Sequence, residues 1–162
     1  MTYAIVYSSR TGNTGLLAET LREVLPEALY FGPPSEKALR ADRLYVGFWT
    51  HRGRCDRQTA DFLKTLTHQE VFLFGTAGFG GNQAYFDKIL RKTAGYLPKT
   101  AVLTGSFLCQ GKMPLSVRQR YEKMLRSPLR PPHLRSLVEN FDRALSHPDA
   151  RDLEALKAAV TE

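Results

Sequence analysis

Short, unbroken apolar runs alternate with helix-patterned stretches along the whole chain, and this alternation is the strongest constraint on its fold. Tyr3–Tyr7, Leu44–Trp49 and Val71–Phe74 are apolar throughout, as strands buried on both faces must be. Ala28–Phe31, closed by Gly32-Pro33-Pro34, is a weaker run, and Thr100–Thr104 is a fifth. Between and after them lie helical patterns. Asn13–Leu25 places Leu16, Leu17, Leu21, Val24 and Leu25 on one side, Arg57–Leu66 carries Phe62, Leu63 and Leu66, and Gln83–Ala94 follows. A basic helix near 117–125, a helix from about His133 to Leu145 and a last helix to about Val160 complete the pattern, broken by Pro128, Pro131, Pro132 and Ser146-His147-Pro148-Asp149. Strand–helix alternation of this kind predicts an α/β fold, a doubly wound five-stranded parallel sheet with helices on both faces. In such sheets ligands sit outside the carboxyl ends of the strands, so the loops after the first, third and fourth strands are the expected site.

The length, 162 residues, suits one domain spanning 1–162. No apolar run is long enough for a membrane span, and the amino-terminal residues lack the basic and apolar regions of a secretory signal, so the expected compartment is cytoplasmic. Cys55 and Cys109 cannot by themselves make a disulfide framework or a four-ligand zinc site. No metal site and no constellation of catalytic acid and base is visible. The net charge of +7 is concentrated: residues 110–136 hold seven Lys or Arg and one acid, six of those seven net charges. Such a stretch suits an acidic partner, nucleic acid or an anionic surface, or is a solvated helix face. No nucleic-acid recognition motif accompanies it, so nucleic acid is not expected.

The first loop is Ser8-Ser9-Arg10-Thr11-Gly12-Asn13-Thr14, in which five of seven residues are Ser, Thr or Asn. A helix cap needs one such residue. This density suits an anion held by hydroxyls, backbone N–H groups and a helix N-terminus. The Gly-Lys-Ser/Thr ending of a Walker loop and the G-x-G-x-x-G dinucleotide fingerprint are both absent.

Ser9 to Thr14 resembles the phosphate loop of flavodoxins, T/S-x-T-G-x-T. Gly47-Phe48-Trp49-Thr50-His51-Arg52-Gly53 is similar to the family's Gly-x-x-Thr-aromatic-Gly loop, and Phe74-Gly75-Thr76-Ala77-Gly78-Phe79-Gly80-Gly81 to its Phe-Gly-x-x-Gly-aromatic-Gly loop. The match runs over residues 1 to about 106. It implies FMN as cofactor, with the phosphate held by Ser9, Arg10, Thr11, Gly12, Asn13 and Thr14. The flavin ring would lie between Trp49, Thr50, His51, Arg52 and Gly53 on one side and Thr76, Ala77, Gly78, Phe79, Gly80 and Gly81 on the other, with Phe79 stacked on it. Trp49 is either a ring contact or core, His51 either a ring contact or surface, and Arg10, at a position usually small and uncharged in the family, either adds a phosphate contact or faces solvent. A donor role for the Thr14 hydroxyl implies weaker FMN binding in Thr14→Ala. Tyr85 and Phe86 read as core or rim.

The resemblance implies an electron carrier serving a partner reductase. Family carriers are acidic and dock on basic partners; this chain is basic, which implies a redox partner with an acidic docking face. The interval between strands two and three is too short for a long helix, and an extra basic segment occupies about 107–132. Gly-Phe-Trp-Thr and Phe-Gly-Thr-Ala-Gly-Phe-Gly-Gly also resemble a group of flavodoxin-family proteins from anaerobic gut bacteria, some of which accompany bilirubin-reducing enzymes. Two alternatives stand beside the carrier: a flavin-dependent oxidoreductase acting directly on a tetrapyrrole or quinone, and a non-redox module binding another phosphate ligand.

Overall fold

A computed structural model describes residues 1–161. Five parallel strands, β1 (Tyr3–Tyr7), β2 (Tyr30–Gly32), β3 (Arg43–His51), β5 (Glu70–Ala77) and β6 (Val102–Gln110), form a sheet in the order β2-β1-β3-β5-β6. A two-residue strand, β4 (Arg54–Cys55), pairs antiparallel with the end of β3. The helices are α1 (Asn13–Val24), α2 (Arg57–Leu63), α3 (Gln83–Ala94), α4 (Leu115–Leu125), α5 (Leu134–Ala144) and α6 (Ala150–Thr161). A single 3-10 turn, Glu36–Arg40, links β2 to β3, in keeping with the short interval in the sequence.

Alternation along each strand divides the core between the two faces. Ala4, Val6, Leu44, Val46, Phe48, Val71 and Leu73 pack with Leu63 of α2 and Ile89 of α3. Ile5, Tyr45, Phe72 and Phe74 pack with Leu17 and Leu21 of α1 and Leu156 of α6. Leu16, expected on the apolar side of α1, is instead exposed. A third, separate cluster of Tyr121, Leu134 and Phe141 holds α4 against α5.

The sheet departs from the sequence reading at two places that shape the site. The apolar run ending at Trp49 continues to His51 and turns back through Arg52 and Gly53 (φ 53° and 82°), a two-residue hairpin whose positive φ values suit glycine at the second position. The fifth strand, expected to stop at Thr104, runs to Gln110. Val71 pairs with Leu103 but Phe72 with Gly105, so Thr104 is an extra residue bulged out of the ladder. Its hydroxyl donates to the Val71 carbonyl, and Gly105 brings the backbone close to the Phe72 ring. The bulge breaks the apolar pattern without ending the strand. Residues 107–110 of the expected extra segment thus belong to β6; the rest of it holds α4, which packs on α5 as a helical hairpin.

Two reciprocal pairs join β3 to β5 below their carboxyl ends: Gly47 faces Phe74, and Phe48 faces Gly75. A Cβ on Gly47 would lie 2.4 Å from the Phe74 ring, which is fully buried. Gly47→Ala is therefore expected to cost about 1–3 kcal/mol of folding stability through overpacking, read as a lower urea midpoint.

Candidate functional site

The carboxyl ends of β1, β3, β5 and β6 open into one cleft of about 290 Å³. Arg10, Thr11 and Asn13 line it from the first loop, Trp49 to Gly53 from the β3–β4 hairpin, and Thr76 to Phe79 from the end of β5. Tyr85 and Phe86 of α3 both pack against the core, and Tyr85 also closes one side of the cleft. Ser9, Gly12, Thr14, Gly80 and Gly81 do not line the cleft.

The first loop presents open donors. Gly12 precedes α1 in the left-handed conformation (φ 89°) and supplies no side-chain cap. Among the described residues, the N–H of Gly15 is met by Ser9 Oγ (3.2 Å), while those of Asn13 and Thr14 have no partner. A helix N-terminus with unpaired amides attracts an anion. The Thr14 side chain is turned inward. Its hydroxyl donates to the Phe48 carbonyl (3.0 Å) and lies 3.3 Å from the Thr76 hydroxyl. With that proton committed to Phe48, the Thr14 hydroxyl is engaged within the fold, and its backbone N–H is free at the start of α1 among the described residues. Asn13 is likewise engaged, Nδ2 donating to the Lys112 carbonyl (2.8 Å).

The hairpin is held by Asp56. Its backbone N–H donates to the Trp49 carbonyl (3.0 Å), its carboxylate accepts from the Trp49 N–H (3.3 Å), and it caps α2 through the Thr59 N–H (3.1 Å). The half-buried Trp49 thus lies in the cleft wall, with His51 edge-on to it at 5.6 Å and the Arg10 guanidinium 5.5 Å from its ring centre. Arg10 reaches from the first loop to the aromatic wall rather than facing bulk solvent alone. Across the cleft Phe79 is 40% exposed, an apolar ring with room on one face. Thr50 Oγ1 is buried without a hydrogen-bond partner among the described residues, an orphaned polar atom at the site.

The cleft lining contains Arg10, Arg52 and Lys112 and no Asp or Glu. Open amides and cations with no acid suit a dianionic phosphate; the aromatic walls and Gly78 suit a flat ring. The residues present therefore fit FMN.

The fifth loop was missed in the sequence. Gly111, Lys112, Met113, Pro114 and Val117 line the cleft because β6 reaches the same edge as its neighbours. Gly111 is needed there: a Cβ would lie 2.5 Å from Asn13 Nδ2. The signal available was the general rule for parallel sheets, hidden by the bulge at Thr104.

The two cysteines lie on opposite faces of the sheet, both buried. Burial pushes the Cys55 thiol up to about 12 and the Cys109 thiol higher still. Neither is a reactive thiolate, and they form no dithiol.

A flavodoxin-domain family model matches residues 4–161. A flavodoxin-like domain-containing protein BilS from Clostridium symbiosum is 43% identical over 176 residues, covering 97% of this chain and 93% of that protein. Among solved structures, the Trp repressor binding protein from Bacillus subtilis matches 99% of each chain at 13% identity with a TM-score of 0.62. A flavoprotein in complex with FMN from Lactobacillus acidophilus matches 66% of this chain and 92% of its own, at 15% identity with a TM-score of 0.52. These two structures are similar in fold.

The raised Cys55 thiol has a testable consequence. It stays protonated in the folded state up to about 12 but ionises near its ordinary value of 9.0 when unfolded, so its contribution to stability is complete below pH about 9 and falls above it. Chemical denaturation between pH 8 and 10.5 should show a steeper loss of stability in the wild type than in Cys55→Ala.

Proposed function

Because the chain belongs to the flavodoxin domain family, we propose that it binds FMN in the cleft and carries electrons to a partner reductase. The observation that carries this reading is the polarity of the cleft: unpaired amides at the start of α1 at one end, Trp49 and Phe79 at the other, and no acid between. When bound, FMN supplies the electron storage. The protein's own groups bind and orient it. The amides of Asn13 and Thr14, with Thr11 and Arg10, hold the phosphate. Phe79 and Trp49 exclude water from the ring and offer it apolar faces. Thr50, its hydroxyl otherwise unpaired, supplies a polar contact at the ring side.

The partner is a protein with an acidic docking face. Arg120, Lys123, Arg126, Arg130 and Arg135 are exposed on or beside α4 and α5. Arg118, by contrast, is half-buried, paired with Glu122 and Asp142, and lies over Phe141, so it supports the hairpin instead. The resemblance to proteins that accompany bilirubin-reducing enzymes supports a tetrapyrrole reductase as the partner class. One observation favours direct chemistry as a second reading: Met113, Pro114 and Val117 of the hairpin form an apolar wall at the cleft, where a tetrapyrrole or quinone would meet the ring.

Titration of the purified apoprotein with FMN, with riboflavin as control, tests cofactor binding. Strong fluorescence quenching by FMN and much weaker binding of riboflavin are expected, and no quenching would overturn the reading. In Thr14→Val the ratio of FMN to riboflavin affinity should stay at the wild-type value, while folding stability falls by about 1 kcal/mol from the lost bond to Phe48.

Reversing charge at Arg120, Lys123 and Arg126 should slow electron transfer to the partner and flatten its salt dependence, measured by stopped-flow. Substrate turnover by the loaded protein alone, with no partner present, would favour the second reading.

A further inference from the structure

The Gly78 carbonyl is held by two side-chain amides outside the cleft. Asn140 Nδ2 of α5 donates to it at 3.0 Å, and so does Gln110 Nε2 at the end of β6, also at 3.0 Å. Gln110 Nε2 further donates to Asn140 Oδ1 at 3.1 Å, which fixes the orientation of the Asn140 amide. Asn140, on α5, is buried at 7% exposure. Gly80 lies directly over this pair, since a Cβ there would fall 2.6 Å from Gln110 Oε1. Gly78 and Phe79 line the cleft, whereas Asn140 and Gln110 do not.

A trans peptide directs its C=O and N–H to opposite sides. With the Gly78 carbonyl drawn toward Asn140 and Gln110, the Phe79 N–H is turned the other way, toward the cleft, and it has no partner among the described residues. We propose that Gln110 and Asn140 are positioning residues that lock the Gly78–Phe79 peptide with its N–H facing the flavin ring, and so raise the reduction potential of bound FMN. The inference rests on the FMN reading above. A fixed donor facing the ring stabilises the electron-rich reduced form more than the oxidised form. Without the clamp the peptide turns freely, and its carbonyl reaches a site where it repels that added electron density. The two donors act on one acceptor, so their removal is coupled.

The test uses Asn140→Leu and Gln110→Met, both uncharged and close in size to the native residues, so no new charge acts on the ring. FMN and riboflavin affinities and the midpoint potential of the FMN-loaded protein are measured, with circular dichroism to establish folding. In each variant both ligands are expected to bind about fivefold more weakly, the worth of one hydrogen bond, with the FMN to riboflavin ratio unchanged and the potential more negative than wild type. A support role confined to the hairpin would lower thermal stability and leave the potential at the wild-type value. A folded variant of either kind with an unchanged potential overturns the clamp while leaving FMN binding intact. Should Asn140→Leu not fold, Gln110→Met decides alone. Failure of the wild type to bind FMN overturns the functional reading and this inference with it.

Discussion

The site depends on how closely β3 and β5 approach just beneath it. Gly47 opposite Phe74 and Gly75 opposite Phe48 let one aromatic ring lie flat over the neighbouring backbone on each face of the sheet. Both rings are fully buried, and a methyl group on either glycine would collide with one. Immediately above, Trp49 pairs with Thr76, and the Thr14 hydroxyl joins the Phe48 carbonyl and the Thr76 hydroxyl. The start of α1 is thereby fastened to the ends of both central strands. The open amides of the first loop, the hairpin wall and the Thr76–Phe79 turn keep fixed positions because each grows from this junction. Packing density decides the matter here: a cleft between loops is only as definite as the layer on which the loops stand.

Much of this was legible in the sequence, and the parts that were not have physical causes. The continuous apolar runs of β1, β3 and β5 gave the parallel sheet, because strands covered on both faces need no polar alternation. The first loop stood out because five of its seven residues are Ser, Thr or Asn, more than a cap requires, and the loops after β3 and β5 were located by their place at strand ends and by their resemblance to family motifs. The β3–β4 hairpin was hidden because Arg52 adopts a positive φ that its residue type rarely takes. The length of β6 was hidden by the bulge at Thr104, and with it the wall formed by 111–114. The inward turn of the Thr14 hydroxyl could not be read from a motif, since a threonine in such a loop serves an anion or the fold equally well until its neighbours are known. Asp56 and Asn140 were missed for the same reason: each acts on a backbone group far away in sequence or in another element.

The α4–α5 hairpin carries its own small core and most of the excess charge, yet it is not an ornament on the sheet. Met113 reaches the cleft, Lys112 accepts from Asn13 in the first loop, and Asn140 grips the turn after β5. The segment that carries the basic face thus also lends one wall to the cleft. Arg118 shows how charge is divided within it. One guanidinium is used internally against Asp142, Glu122 and Phe141, and the remaining cations project outward.

Cys55 and Cys109, each sealed within a different face of the sheet, bear on the chain's own redox chemistry. Thiol–disulfide exchange begins with an exposed thiolate, and neither sulfur offers one. The two cannot reach each other through the sheet between them. The chain therefore has no sulfur couple of its own to drain or store reducing equivalents, and the redox poise of surrounding small thiols has no point of entry. The same packing that holds the fold together keeps both sulfurs apart from that pool.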